Sequence, residues 1–506
     1  MGKKSGQIRK RAMLAGLLAA TLLLGGCMAQ IEERPMADVS ATPVDSGVQA
    51  PAEDAYAASE RTVTLYFLTE DGTALRPVVR RMEAPGSMSR AEAAFCALME
   101  GPEADEHAFW PEMGNLNAVR AIEISGDVAT VDLPARVREL PQERIFAVRQ
   151  AIANTLTEFT EISYVNVLIG GREEGLDLGA QLPVGTLTRM GDMDMGAAYT
   201  RLDEQRQSEQ GVTRLTTLYF PTEDGRFVLP EVRTVSYGAV SPIEYLYQLL
   251  AEMGKESKRA SGVPAPMRYI TEMPEIVRTQ DGAYRAIEIR FDVSLDEALA
   301  EAGLTRGIYM AMLTDTLMGF VPGVEGLQVS IGGELLTGLA AEHTPDGTEL
   351  PFAHRLATRE DFAAYAGAPV TLYTQADGAG GLVRTAYILA QARQNDLRAR
   401  LEALMSFDED GERYALPSGL TAADVLAVRA QDDEIAVNLS EHFASRLRTL
   451  SPREERTAIY AMVNTLTEDM HAQRVRFFFE GEQIEMLSGE LEMRGAFLRN
   501  PGMVVE

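Results

Sequence analysis

The chain has 506 residues, a formal net charge of −28 at pH 7 and two cysteines. This length is sufficient for several small domains, each with its own hydrophobic core. The negative charge disfavours binding to nucleic acid and to anionic lipid, and two cysteines cannot build a disulfide framework.

The N-terminal segment predicts a lipoprotein signal peptide. Residues 1–26 hold five basic and no acidic residues, and an apolar run from Ala12 to Leu24 ends just before Cys27. This run is too short for a spanning helix, and the small residues Gly25 and Gly26 before the cysteine resemble a bacterial lipobox. We therefore expect Cys27 to receive a diacylglycerol and to become the first residue of the mature chain.

The predicted anchor sets the location of the mature protein. The two acyl chains of a diacylglycerol, such as palmitate chains, give stable membrane binding. The mature chain would carry a charge of about −33, so the lipid rather than charge would hold it at the extracytoplasmic face of the cell membrane. After Cys27, a segment rich in Ala, Pro, Glu, Asp, Ser and Val predicts a disordered tether that spans roughly 30 Å.

A domain-sized unit then recurs three times, at intervals of about 150 residues. The copies open at Leu65-Tyr66, Leu218-Tyr219 and Leu372-Tyr373. Their last helices end in Asn154-Thr155-Leu156-Thr157-Glu158, Asp315-Thr316-Leu317-Met318 and Asn464-Thr465-Leu466-Thr467-Glu468. Because solenoid repeats have periods of about 20 to 50 residues, each copy is predicted to be a whole fold unit.

Within each copy the pattern predicts strand, turn, strand, helix, strand, strand, helix and strand, an α+β unit. Asp-Gly pairs follow the first strand, and a serine three residues before a glutamate predicts the helix starts at Ser89, Ser241 and Ser451. In the second copy, alternation along 286–293 predicts a strand with one buried face.

The predicted organisation is an α+β chain of three tandem domains behind a signal and a tether. Its segments are the signal peptide 1–26, the lipidated Cys27 and tether 27–62, domain 1 63–172, a linker or arm 173–212, domain 2 213–334, a second linker or arm 335–367, domain 3 368–482 and a C-terminal arm 483–506. The intervening segments are long for loops, so they are linkers or arms that pack on the preceding domain.

No repeated catalytic or metal-binding pattern is present. The five histidines occupy no equivalent positions in the copies, and the nucleophile, zinc-protease and phosphate-loop motifs are missing from the sequence. Cys96 is predicted to be a small buried hydrophobe, and Asp408–Gly411 lacks the closing glutamate of a calcium loop. We expect no catalytic residue, metal or cofactor.

The polar closing signature is the recurring cluster that remains. Its members are Asn154, Thr155, Thr157, Asp315, Thr316, Asn464, Thr465 and Thr467. They could contact a ligand or partner, or they could satisfy backbone groups at a helix end. We favour the structural role because the second copy replaces Asn by Asp and Thr-Glu by Met-Gly.

The Leu-Tyr-Phe opening, the strand Val131-Asp132-Leu133 and Asn-Thr-Leu-Thr-Glu followed by a strand and glycine resemble the GerMN domain of sporulation and spore germination proteins. The resemblance covers 63–171, 214–333 and 369–481, and the second copy departs at Asp315 and Gly319. It implies small domains similar to ring-building modules of secretion machines, on a lipid-anchored protein without known enzymatic activity. The implied partners are an envelope or sporulation protein complex and other copies of the chain.

Two hypotheses follow from these observations. The first is a non-enzymatic scaffold that binds partner proteins in sporulation or germination. The second is an envelope lipoprotein that binds a cell-wall fragment or acts with a signalling system, using carboxylates such as Asp132 and Asp292. The third copy has Asn438 at the matching position, which disfavours a repeated carboxylate site.

Overall fold

The structure is a computed structural model. It describes residues 62–112, 120–171, 185–207, 212–237, 242–279, 282–321, 323–376, 381–407, 415–488 and 491–505. Cys27, the tether, Ser241 and the Asp408–Gly411 turn lie outside these ranges. Across the ranges, no helix combines the length and the hydrophobicity that a membrane crossing requires.

The first unit combines a hairpin, a sheet and helices. Its elements are β1 (Thr62–Leu68), β2 (Leu75–Arg81), α1 (Arg90–Glu100), β3 (Arg120–Ser125), β4 (Val128–Leu133), α2 (Gln142–Leu156), β5 (Tyr164–Ile169) and α3 (Met195–Gln207). Strands β1 and β2 pair antiparallel, and the second sheet has the order β3-β4-β5. Strands β4 and β5 are parallel because α2 forms the crossover between them.

The second unit repeats this order with additions. Its elements are β6 (Val212–Pro221), β7 (Val228–Tyr237), α4 (Pro242–Met253), α5 (Pro266–Tyr269), β8 (Ile270–Arg278), β9 (Arg285–Phe291), α6 (Ser294–Glu301), α7 (Arg306–Phe320), β10 (Gly326–Ile331), β11 (Glu334–Leu335), β12 (Gly338–Leu339) and β13 (Leu350–Pro351). Helix α7 takes the place of α2, and β9 and β10 are again parallel. The predicted alternation is confirmed, since Ile287, Ile289 and Phe291 are buried and Arg290 is exposed.

The third unit has the same plan. Its elements are β14 (Gly367–Gln375), β15 (Leu382–Ala390), α8 (Leu397–Ser406), β16 (Val425–Gln431), β17 (Glu434–Leu439), α9 (Glu441–Leu447), α10 (Pro452–Thr467), β18 (Arg474–Phe479) and β19 (Phe497–Leu498). Ser451 and Glu454 form the predicted capping box at the start of α10, with Pro452 in the first turn. The α+β class predicted from the repeat is therefore confirmed.

Each unit has its own hydrophobic core cluster, and the last crossover helix runs through its centre. All residues from Ile145 to Leu156 of α2 are buried, as are those from Gly307 to Phe320 of α7. These helices are thus enclosed by the hairpin on one side and the sheet on the other. Their polar residues need partners inside the protein.

The segment that follows β5, β10 or β18 packs back onto its own unit. Leu187 forms a β-bridge with Val165, and Ala357 forms one with Leu327. In the third unit, Phe497 of β19 pairs with Val475 of β18. We call these segments arms: arm 1 is 185–207, arm 2 is 335–366 and arm 3 comprises 483–488 and 491–505.

Helix α1 carries one residue that differs from the prediction and one that contacts another unit. Cys96 on α1 is only half-buried, so it does not fill the core as predicted. Ser89 caps α1 as predicted, with its hydroxyl accepting from the Glu92 amide at 3.1 Å. The Glu92 carboxylate, however, also reaches the third unit, where it accepts from Asn395 Nδ2 at 2.7 Å.

Candidate functional site

The threonine of each closing signature binds the tyrosine of the opening pair. Thr155, Thr316 and Thr465 accept a hydrogen bond through Oγ1 from the backbone amides of Tyr66, Tyr219 and Tyr373, at 2.9, 2.9 and 3.0 Å. Each bond joins the buried helix to the middle of the first strand. The contact is the same in all three units.

In the first and third units, the asparagine of the signature fastens the arm. Asn154 donates to the Met190 carbonyl and accepts from the Met190 amide, both at 2.9 Å. Asn464 makes the same pair of bonds with Asn500, at 3.2 and 2.9 Å. Both asparagine side chains are fully buried. Each side-chain amide therefore satisfies the backbone N–H and carbonyl of one arm residue, which water cannot reach.

A tyrosine, a glutamate and an arginine complete this connection. The Tyr66 hydroxyl donates to Glu158 at 2.8 Å and accepts from Arg189 of the arm at 2.7 Å. Arg189 also forms an ion pair with Glu158. In the third unit, Tyr373, Glu468 and Arg499 form the same triad, with the tyrosine bonds at 2.9 and 2.7 Å.

The last threonines of the signature serve the helix itself. The hydroxyls of Thr157 and Thr467 donate to the carbonyls of Ala153 and Val463, four residues earlier, at 2.7 and 2.8 Å. Such bonds satisfy carbonyl groups in the last helical turn. We use the term clasp for the signature residues together with the tyrosine and the arginine of the arm.

The clasp of the second unit is different. Asp315 stands in place of the asparagine, Gly319 in place of the glutamate, and Arg359 is supplied by arm 2. Arg359 Nε donates to Asp315 Oδ1 at 3.4 Å, so the acidic partner of the arginine now comes from the first position of the signature. The tyrosine hydroxyl and the arginine thus lose the carboxylate that they share in the other two units.

The three units meet beside this altered clasp. Thr217 of β6 donates to Asn166 of β5 at 3.2 Å, and Ser125 of β3 donates to the Gly367 carbonyl of β14 at 2.7 Å. Val228 of β7 forms a β-bridge with Ala366, the last residue of arm 2, directly before β14 of the third unit. These contacts surround a cavity of about 410 Å³, a volume typical of small-molecule sites.

Polar groups from all three units line this cavity, which we call the junction cavity. The lining includes Glu92, Glu123, Asp132, Tyr219, Asp315, Arg359, Glu360, Gln391, Gln394 and Asn395. Burial raises the pKa of Asp315 to about 7, although Arg359 opposes this effect. Burial likewise raises the pKa of Tyr219 to about 12. The Asp315 carboxyl can therefore change charge near neutral pH, while the tyrosine remains protonated.

The carboxylates of the ligand-binding hypothesis lie in different places. Asp132 lines the junction cavity, but its Oδ1 accepts from the Gly171 amide at 2.7 Å, as Asn438 Oδ1 does from Gly481 at 2.9 Å. Asp292 is exposed, and its Oδ1 accepts from the Ser294 amide at the start of α6. The structure therefore does not bring Asp132 and Asp292 together. Among the residues that it describes, no group of three or more His, Cys, Asp and Glu side chains could hold a metal ion.

Comparison with known proteins agrees with the repeated clasp. The sequence model of the Germane family, described as sporulation and spore germination, matches residues 64–175 and 371–485. Each match contains a whole clasp apart from its arm arginine. These two segments therefore match the Germane family. The two Germane segments are the first and third units, and the second unit, with Asp315 and Gly319, lies outside the matched residues.

Two solved structures resemble parts of this chain. The tandem GerMN domains of the sporulation protein GerM from Bacillus subtilis are 17% identical over 59% of this chain and 99% of that one, with a TM-score of 0.21. A Clostridium perfringens protein named as a candidate lipoprotein is 15% identical over 26% of this chain and 87% of that one, with a TM-score of 0.19. No curated protein matches the chain.

Sequence reasoning missed the arginines of the Germane clasps. Arg189 and Arg499 lie in arms without recognisable periodicity, so nothing marked them as partners of the signature. A signal was nevertheless present. In both Germane units, the arm residue that the asparagine binds lies 36 positions after that asparagine, and the arginine directly precedes this arm residue. In the second unit, Arg359 follows Asp315 by 44 positions, which hides the correspondence.

Proposed function

We propose that this protein is a non-enzymatic, lipid-anchored scaffold on the extracytoplasmic face of the cell membrane, where it binds an envelope protein complex during sporulation or spore germination. The process is supported by the two segments that match the Germane family, which is described as sporulation and spore germination. The anchor follows from Cys27 and its apolar leader.

One observation carries the scaffold role: the polar residues that recur are used inside the protein. The clasp threonines, asparagines and glutamates bind the first strand, the helix and the arm of their own unit. A repeated active site would instead need groups directed at a substrate. Repetition of this kind supports selection for three rigid units rather than for a shared reaction.

The charge of the chain supports a protein partner at a distance from the lipid. A mature chain of about −33 is repelled by anionic headgroups, and the tether can lift the first unit clear of them. The partner would be an envelope or sporulation protein, or another copy of the chain, and not nucleic acid.

Anchoring is tested by Cys27→Ser. In bacterial cells with lipoprotein maturation, the wild-type chain should fractionate with membranes and incorporate a clickable palmitate analogue. The variant should neither fractionate with membranes nor incorporate the analogue. Its thermal unfolding curve should match that of the chain from residue 28 onward, which shows that the substitution does not disturb folding. Equal membrane retention of both proteins would contradict the lipid anchor.

The scaffold role is tested by crosslinking in sporulating cells of the encoding organism. Photo-crosslinking residues are placed on exposed positions such as Val79, Met273 and Val293, one in each experiment. The anchored chain should give discrete adducts with an envelope protein or with itself, and the Cys27→Ser chain should lose them. If no position gives an adduct in the anchored chain, the scaffold role is wrong.

A further inference from the structure

The altered clasp of the second unit lacks a carboxylate that its equivalents contain. In the first and third units, a glutamate three residues after the clasp threonine accepts from the tyrosine hydroxyl and pairs with the arm arginine. The second unit retains Tyr219 and Arg359 but has Gly319 at that position. The donors of the triad are present, and their shared acceptor is missing.

The space for this acceptor is open. Gly319 is buried within helix α7, yet a Cβ atom built on it would meet no atom within 4 Å apart from its chain neighbours and the nearby backbone of its own helix. The residues that line the opening beside it include Tyr219, Asp315 and Arg359. Its volume of about 10 Å³ can hold about one water-sized group. The same three residues line the junction cavity, so the two spaces adjoin.

Arg359 has donor capacity for an added group. Within the described ranges, its recorded hydrogen bond is the 3.4 Å contact from Nε to Asp315, and its side chain remains 22% exposed. A guanidinium carries five N–H donors in a planar fork that suits a carboxylate. The outer nitrogens of Arg359 can therefore bind a carboxylate that enters from the junction cavity.

The rest of the cavity favours positive charge. Glu92, Glu123, Asp132 and Glu360 all lie on its wall, with the amides of Gln391 and Asn395 between them. A simple anion would be repelled by this wall, and a simple cation would give the outer nitrogens of Arg359 no acceptor. A small molecule that carries both charges satisfies both sides.

We propose that the junction cavity binds a small zwitterion, an amino acid or a short peptide, whose carboxylate takes the place of the missing glutamate between Tyr219 and Arg359. Its ammonium groups face the acidic wall formed mainly by the first unit. Because all three units line the cavity, the ligand would also connect them. This site goes beyond the scaffold role and does not depend on it.

The test is calorimetric titration of the chain from residue 28 onward with alanine, lysine and alanyl-lysine, each in L and D forms. We expect saturable binding of at least one, and binding weaker by about tenfold or more for its carboxamide and for its N-acetyl form, because each lacks one charge. A rise in the unfolding temperature on ligand addition should accompany binding.

Three variants locate the site. Gly319→Glu places the glutamate of the other units in the opening and should abolish binding, whereas Gly319→Ala adds a methyl group in open space and should reduce binding far less. Arg359→Lys, which loses the fork, should weaken binding about tenfold even if the glutamate variant fails to fold. Glu158→Gly in the first unit is the matched control and should leave binding unchanged.

The outcomes separate this proposal from others. No saturable binding of any of the six compounds, equal binding of the carboxamide, or unchanged binding by Gly319→Glu and Arg359→Lys would each overturn it. None of these results would affect the scaffold role, which is measured by crosslinking and membrane fractionation.

Discussion

The clasp threonine gives the sharpest test of the fold. Thr465→Val keeps the shape of the side chain and removes the Oγ1 that accepts from the Tyr373 amide at 3.0 Å. Both residues are fully buried, so water cannot replace the lost acceptor. An unsatisfied buried amide costs about 1–3 kcal/mol, and a methyl group in place of the hydroxyl leaves no cavity.

Hydrogen exchange measured by mass spectrometry localises this cost. Peptides from β14 should exchange roughly 5- to 150-fold faster in Thr465→Val, while those from β1 and β6 should change little. Thr155→Val should produce the reverse pattern in β1. Thr316→Val should cost less than either, because Tyr219 is only partly buried beside the junction cavity.

Two results would refute this reasoning. One is exchange in β14 that is unchanged by Thr465→Val, since the hydrogen bond would then contribute nothing. The other is an equal acceleration in all three hairpins, since the clasp would then act on the whole chain rather than on its own unit. Global unfolding in urea, followed by far-UV circular dichroism, serves as the check on overall stability.

Three further perturbations test separate parts of the structure. Asn464→Ala removes both bonds to Asn500 and should make arm 3 cleavable by limited proteolysis, at a cost of about 2 kcal/mol in local opening; wild-type cleavage rates would contradict this. Asp315 has a folded pKa of about 7 against an ordinary 3.8, so between these values the folded state holds a proton that the unfolded chain has lost. The contribution of this carboxyl to wild-type stability therefore falls by about 1.4 kcal/mol per pH unit as the pH rises. Asp315→Asn lacks this slope, so the difference in urea stability between wild type and variant should change by roughly 2 kcal/mol from pH 5 to pH 6.5, and a constant difference would contradict the burial of the carboxyl. Gly307→Ala would place a Cβ 2.0 Å from the His343 carbonyl oxygen and should destabilise the chain by about 2 kcal/mol, despite the better helix propensity of alanine; a stabilised variant would show that arm 2 does not pack there.

The elements could be predicted from the sequence because their signals are local. The Leu-Tyr opening, the serine caps and the alternation at Ile287 and Ile289 each depend on neighbours within one strand or one helical turn. The structure differs mainly by extending the strands and by adding the short helices α6 and α9 before the crossover helices. Because the unit recurs three times, its copies could be compared with one another to find the positions that they share.

The clasp partners and the junction cavity could not be predicted, because they depend on contacts between distant segments. Tyr66 and Glu158 are 92 positions apart, and Asn395 reaches Glu92 across 303 positions. The replacement of glutamate by Gly319 looked like simple divergence of the second copy. Only the arrangement of the three units shows that it opens a space beside Tyr219 and Arg359.

The central claim is that an anchored, non-enzymatic chain serves sporulation or germination, and complementation tests it most directly. A deletion strain of the encoding organism receives the wild-type gene or Cys27→Ser at equal expression, and heat-resistant spores and their germination are counted. We predict a defect in the deletion strain that the wild-type gene corrects and the unanchored variant does not. Full correction by Cys27→Ser, or a deletion strain without any spore defect, would contradict the account.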